Sequence, residues 1–154
     1  MVVGKIGSLL QDIREAMNRG EGDFSAFAQK LFAGADPEDI AAYSRQALAS
    51  LTWESFDFLQ EHQPGKAKIR TRNPQGDLGE STVIDILNDD MPFLVDSVLA
   101  LLSEQGLEIK FLLHPVFEVR REEGGKLVGL DEAPGAQALK ESFMHIHITR
   151  LDDK

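Results

Sequence analysis

The sequence predicts an α+β protein in which N-terminal helices precede a mainly antiparallel sheet with a helix on one face. Apolar residues recur with the helical period as far as His62, and with period two after Pro64. In the second part, one amphipathic segment from Phe93 to Gln105 separates two predicted strands. We therefore expect a helical segment over residues 1–63 and an α+β domain over residues 64–154.

Composition restricts the classes of function. The 154-residue chain has no cysteine, which excludes disulfides, thiol catalysis and thiolate metal ligands. Its formal net charge of −10 disfavours binding to nucleic acid or to anionic membranes. No run approaches the roughly 20 apolar residues that a membrane span requires. We expect a cytoplasmic protein.

Three helices are predicted before His62. The first carries one apolar stripe, and the second is expected to bury its aromatic side. The third begins at Asp36-Pro37, a capping residue followed by proline, and continues to about Gln60. Trp53 and Phe56 lie opposite its main apolar stripe, so this helix is expected to contact two partners. The apolar residues of the first two helices are Ile6, Leu9, Leu10, Ile13, Met17, Phe24, Phe27, Ala28, Leu31 and Phe32.

A strand with cations on one face is predicted from Lys66 to Arg72. One interpretation is an anion-binding site. The other is an edge strand whose Lys and Arg side chains block unwanted pairing or face the acidic remainder of the chain.

The rest of the chain alternates strands with one helix. Strands are predicted over Thr82–Asn88, Leu127–Leu130 and Phe143–Leu151, and a long strand runs from Leu107 to Val119. Pro115 places that long strand at an edge, or marks a bulge. The helix should bury the stripe Leu94, Val95, Val98, Leu101 and Leu102, and the last strand should direct Met144, Ile146 and Ile148 inward.

Two groups of side chains offer chemistry. His145 and His147 are two residues apart on a strand, so both point to one face, where His114 would complete a zinc site. Alternatively, both are solvent-facing or interface histidines. Asp89 and Asp90 are adjacent acids that either do acid–base chemistry, if burial separates their pKa values, or cap the following helix.

Three segments, in order along the chain, resemble landmarks of the large bacterial NAD-specific glutamate dehydrogenases. They are Asn88 to Val98, His114 to Arg121 and Glu141 to Ile146, and the Asp36–Asp39 and Asn73-Pro74 features fall where that family has similar ones. The similarity covers roughly residues 24–151.

This resemblance implies a function and a fold. It implies a non-catalytic, N-terminal regulatory or assembly module of an enzyme that deaminates glutamate to 2-oxoglutarate with NAD. It also implies that residues 64–154 are an ACT-like, ferredoxin-like domain, which stops before its second helix and fourth strand. We therefore expect one bare sheet edge, and expect Met144, Ile146 and Ile148 to lack a cover unless the N-terminal helices or a second copy supply it. We expect no catalytic residue, metal or cofactor in this chain, with NAD bound elsewhere in the parent enzyme. The implied partners are the downstream domains, a second copy in a homo-oligomer and an amino-acid effector.

The resemblance places an effector site at the turn formed by Asn88, Asp89, Asp90, Met91, Pro92 and Phe93. ACT turns that bind amino acids typically have glycine where Phe93 stands, so the ring would fill the site. Two alternatives to a purely structural module remain: an amino-acid sensor that uses this turn, and a small metal-dependent enzyme that uses His145 and His147.

Overall fold

The computed structural model describes residues 21–75, 79–130 and 139–151, and the helix predicted over residues 6–17 lies outside them. The helices are α1 (Glu21–Ala33), α2 (Pro37–Ala41), α3 (Arg45–Leu59) and α4 (Leu94–Glu104). The strands are β1 (Lys68–Arg72), β2 (Ser81–Asp89), β3 (Ile109–Leu113), β4 (Val116–Arg121), β5 (Leu127–Leu130) and β6 (Leu139–Thr149). The α+β class is confirmed.

The predicted third helix is two helices, which corrects the sequence interpretation. Asp36 caps α2 as expected, because its Oδ1 accepts a hydrogen bond from the Glu38 amide at 2.9 Å. The helix then ends at Ala41, and Ser44 caps a new one by accepting from the Ala47 amide at 3.0 Å. A side-chain oxygen that satisfies free amides allows the chain to restart there at a new angle.

All described strand pairings are antiparallel, in the order β1-β2-β6-β4-β5, with β3 also paired to β6. β6 is central: β2 runs along one side of it, while β3 and β4 follow each other along the other side. The outer side of β2, where a strand was expected to be missing, is paired, because β1 runs along it from Lys68↔Leu87 to Arg72↔Val83 and becomes the outermost strand there. The edge-strand interpretation of β1 is confirmed.

The two faces of the sheet have different covers. The helical face packs against α1–α3 and includes Phe143, and Phe27 of α1 stacks on Phe117 of β4 at 5.1 Å between ring centroids. The opposite face, which includes Met144, Ile146 and Ile148, packs against α4 and is called the α4 face. The aromatic residues predicted to be buried on α1 are buried, and Trp53 and Phe56 do contact a second partner, Phe24 of α1.

Two expectations about the α4 face are wrong. Met144, Ile146 and Ile148 do not lack a cover: α4 and neighbouring side chains of the sheet, such as Ile84 and Ile109, leave each of them 0% exposed. Leu101, placed at the centre of the buried stripe, is 55% exposed, and Leu102 takes the buried position at 8%. The apolar stripe of α4 is wider than its contact with the sheet, and the pattern alone did not reveal which part of the stripe turns outward.

The long strand does not keep one face. A register shift between Ile109 and Phe111 places Leu107 and Ile109 on the α4 face, while Phe111 and Leu113 face α1–α3. An extra residue in one strand of a pair reverses the side on which the following side chains point. Pro115 falls between β3 and β4, and its carbonyl still accepts from the Phe143 amide at 3.0 Å.

Gly125 fixes the β4–β5 hairpin against the end of the helical layer. Its φ is +95°, and a Cβ at this position would lie 2.7 Å from the carbonyl oxygen of His62. The His62 amide donates to the Gly125 carbonyl at 3.0 Å. Only glycine combines this conformation with so close an approach.

Candidate effector turn and buried polar networks

The turn from Asn88 to Phe93 lies where β2 ends beside the start of β6. The side-chain Nδ2 of Asn88 donates to the backbone carbonyl of Asp89 at 3.0 Å, and the backbone amide of Asp90 donates to the Lys140 carbonyl at 2.9 Å. Asp90, Met91 and Pro92 are exposed. The backbone of the turn is therefore held to the sheet while its tip is open to solvent.

The capping role expected for Asp89 and Asp90 is wrong. The N-cap of α4 is Phe93, and no side chain accepts a hydrogen bond there. β2 continues to Asp89, whose Oδ2 instead accepts from the Gly65 amide at 2.8 Å. Both acids therefore lie too early in the chain to reach the first turn of α4.

Phe93 has the left-handed backbone conformation that glycine usually provides. Its φ is 65°, and it is the one non-glycine residue in the described part of the chain with positive φ. Its ring does not fold back over the turn, because the residue is 77% exposed. The left-handed conformation therefore coincides with a large aromatic side chain that is open to solvent.

The two strand histidines belong to a buried network that joins the sheet to the helical layer. His145 Nδ1 lies 2.6 Å from Asp85 Oδ1, and His145 Nε2 lies 2.8 Å from His147 Nε2. His147 Nδ1 then lies 2.9 Å from the Tyr43 hydroxyl, in the break between α2 and α3. Asp85, His145 and His147 are all 0% exposed, and Arg70 donates to Asp85 at 2.7 Å.

This network shifts the pKa values of several of its members. Burial would raise the pKa of Asp85, but hydrogen bonds and charges from His145 and Arg70 outweigh burial and hold that pKa below its usual value. Burial, with a smaller contribution from the charge of His145, lowers the pKa of His147 to about 3. Burial and the Asp39 carboxylate raise the pKa of Tyr43. The network therefore contains a stable carboxylate and a neutral His147.

The three-histidine metal site does not form. Leu113 lies directly opposite His145 and shares its face of the sheet, so the next residue, His114, points to the other face, where it is exposed. The His145 and His147 nitrogens contact each other directly. The interpretation of these histidines as solvent-facing is also wrong, because α1–α3 cover them.

A second buried network lies at the opposite end of the helical face. Arg121 donates to both oxygens of Glu141, at 2.8 and 2.9 Å, and His62 Nδ1 lies 2.7 Å from Glu141 Oε2. His62 Nε2 donates to the Lys66 carbonyl at 2.6 Å. His62, Asp89 and Glu141 place potential metal ligands within 4.8 Å of one another. The arginine cation on Glu141 opposes a metal ion at this position.

The cations of β1 turn toward the helical layer. Arg72 pairs with Glu54, and Lys68 donates to the carbonyls of Phe58 and Glu61 at 2.7 and 2.8 Å. Burial lowers the pKa of Lys68. These contacts favour a structural role over the anion-site interpretation.

Sequence reasoning missed Asp85, Tyr43, His62 and Arg121. Asp85 sits within an apolar strand, and the strand register places it opposite both Arg70 and His145. The signal available in the sequence was a lone acid at an inward position, which requires a buried partner.

Helical layer, antiparallel sheet and the β2–α4–β3 unit together define an ACT-like α+β domain. A family model described as "Glutamate dehydrogenase, ACT1 domain" matches residues 27–154. The chain belongs to this family.

Longer proteins share this region. The NAD-specific glutamate dehydrogenase of Halomonas elongata is 31% identical over an alignment 153 residues long, gaps included. This alignment covers 92% of this chain and 10% of that protein. The NAD-specific glutamate dehydrogenase of Pseudomonas aeruginosa is 28% identical over 130 residues, which cover 80% of this chain and 8% of that protein. The chain thus spans about a tenth of these relatives. No solved structure matches it significantly. No helix in the described ranges is long and apolar enough to cross a membrane.

Proposed function

We propose that this chain is a non-catalytic regulatory and assembly domain of a cytoplasmic, NAD-specific glutamate dehydrogenase. The parent enzyme would oxidise L-glutamate to 2-oxoglutarate and ammonia with NAD, which would bind to downstream domains. The match of residues 27–154 to the ACT1 domain of this family carries the proposal. The relatives' much greater length leaves ample chain for a separate catalytic domain.

The geometry of the histidines supports a non-catalytic role. A catalytic base must come within hydrogen-bond reach of its substrate. His62, His145 and His147 are instead buried, and their ring nitrogens contact groups that tie the helical layer to the sheet. Such networks fix the relative position of two layers.

An absorbance assay for NADH with glutamate and NAD tests the catalytic part of the proposal. We expect no turnover above buffer from the purified chain. Turnover that persists through repurification and is proportional to chain concentration would contradict it.

The second candidate function is an amino-acid sensor that uses Asn88, Asp89, Asp90, Met91, Pro92 and Phe93. Its support is the exposed Asp90, four residues before the start of α4, together with the N-terminus of α4, whose backbone amides donate to no side-chain cap. A zwitterion would place its ammonium near Asp90 and its carboxylate at the helix N-terminus.

Calorimetric titration with glutamate and aspartate tests the sensor. We expect saturable heat that Asp90→Asn weakens at least several-fold. Glu104→Gln, at the opposite end of α4, is the matched control and should leave the heat unchanged. Absence of saturable heat at millimolar ligand would exclude the sensor while leaving the assembly role intact.

A further inference from the structure

Met91 carries a thioether at the open tip of the turn between β2 and α4. The sequence has four methionines, of which the structure describes Met91 and Met144. Met91 is 51% exposed, whereas Met144 is 0% exposed in the core beneath α4. A thioether is oxidised at its sulfur, so access of the oxidant decides which methionine reacts. Within the described ranges, that access exists at Met91 and not at Met144.

The side-chain amide of Asn88 occupies one side of the Met91 sulfur. Nδ2 of Asn88 lies 3.7 Å from Sδ of Met91 and donates a hydrogen bond to it. The same nitrogen donates to the Asp89 carbonyl at 3.0 Å, which holds the amide in place. A thioether sulfur has two lone pairs, and oxidation at one or the other gives the two epimers of the sulfoxide. Asn88 covers one lone pair, and the exposure of Met91 leaves the other open to solvent.

We propose that Met91 is a site of reversible oxidation by peroxides, and that Asn88 directs the incoming oxygen to the opposite side of the sulfur. With hydrogen peroxide, the free lone pair of Sδ attacks one oxygen, the O–O bond breaks and an S=O bond forms. The hydrogen of the transferred oxygen passes to the departing hydroxide, which leaves as water. Sulfur loses two electrons in this step and the peroxide gains them. A reductase specific for the epimer formed reverses the change.

The surroundings of Met91 favour an uncharged oxidant and tolerate the product. Asp89 and Asp90 directly precede Met91, and the chain has a net charge of −10, which repels anions but not hydrogen peroxide. The Asp90 amide anchors the turn to the Lys140 carbonyl, so the backbone does not depend on the sulfur. A sulfoxide at Met91 makes the tip polar, whereas one at Met144 would bury a polar oxygen in the core. The inference does not depend on the amino-acid sensor considered above.

Peptide mass spectrometry of the full chain, after timed exposure to hydrogen peroxide, measures oxidation at each methionine separately. We expect Met91 to react at least about tenfold faster than Met144. In denaturing urea, which opens the core, the two rates should agree within about twofold. A folded chain in which Met144 reacts as fast as Met91 would refute the assignment of Met91 as the site.

The two stereospecific methionine sulfoxide reductases test the role of Asn88, because each enzyme reduces one epimer. From the oxidised parent chain, one enzyme should restore at least about three times as much Met91 as the other. Asn88→Ala removes the N–H donor and should make the two yields nearly equal. Asn73→Ala removes a similar amide at the opposite end of β2 and should keep the parent's ratio. Slow oxidation of Met144 in both variants checks that the core is intact. Equal yields from the parent, or an unchanged excess in Asn88→Ala, would overturn the proposal.

Discussion

Acidification should destabilise the chain through His147. Burial holds the pKa of this residue at about 3, against 6.5 in a free histidine. Between these values the unfolded chain binds a proton at His147 that the folded chain does not bind. Stability is therefore fully present above about pH 6.5 and falls as the pH drops toward about 3.

The size of the effect follows from the width of this window. Each pH unit corresponds to about 1.4 kcal/mol, so a drop from pH 6.5 to about 4.5 costs about 3 kcal/mol from His147 alone. That is a large part of the roughly 5–15 kcal/mol by which a domain is stable. His147→Gln keeps a polar group beside Tyr43 and removes the titration, so it should lower this pH dependence by about the same amount.

Urea unfolding followed by Trp53 fluorescence, at about pH 7 and at about pH 4.5, measures the difference. His114→Gln is the matched control, because His114 is exposed and lies outside the network; its pH dependence should equal that of the parent. If His147→Gln lost as much stability as the parent between the two pH values, His147 would not be the neutral buried group that the geometry indicates.

Two further predictions concern the fold. Leu102→Ala should lower the free energy of unfolding by about 2–4 kcal/mol and Leu101→Ala by less than about 1 kcal/mol, because only Leu102 is buried. Thermal melts of the two variants would rank these losses of stability. The opposite order would show that α4 is rotated about its axis from the position described above. Gly125→Ala should cost about 1–3 kcal/mol through its contact with the His62 carbonyl, whereas Gly34→Ala, which meets nothing within 4 Å, should change stability little. Equal melting of both glycine variants would contradict the close packing of the hairpin.

The sequence by itself determined the class of the fold and most of its elements. Period-3.6 and period-two patterns located the helices and strands, because side chains on one face of an element must all be apolar to be buried together. The pattern also identified the buried aromatic side of α1 and the position of β1 at an edge. These features depend on residues close in the chain, whose spacing is visible in the sequence.

Tertiary structure decided how those elements meet. Strand register alone places Asp85 opposite His145 and Arg70, and a single bulge after Ile109 reverses the faces of β3. Which part of a wide apolar stripe turns outward, as at Leu101, depends on the packing of α4 against the sheet. Each of these outcomes joins residues far apart in sequence, and a small shift of register or rotation changes it without altering the local pattern.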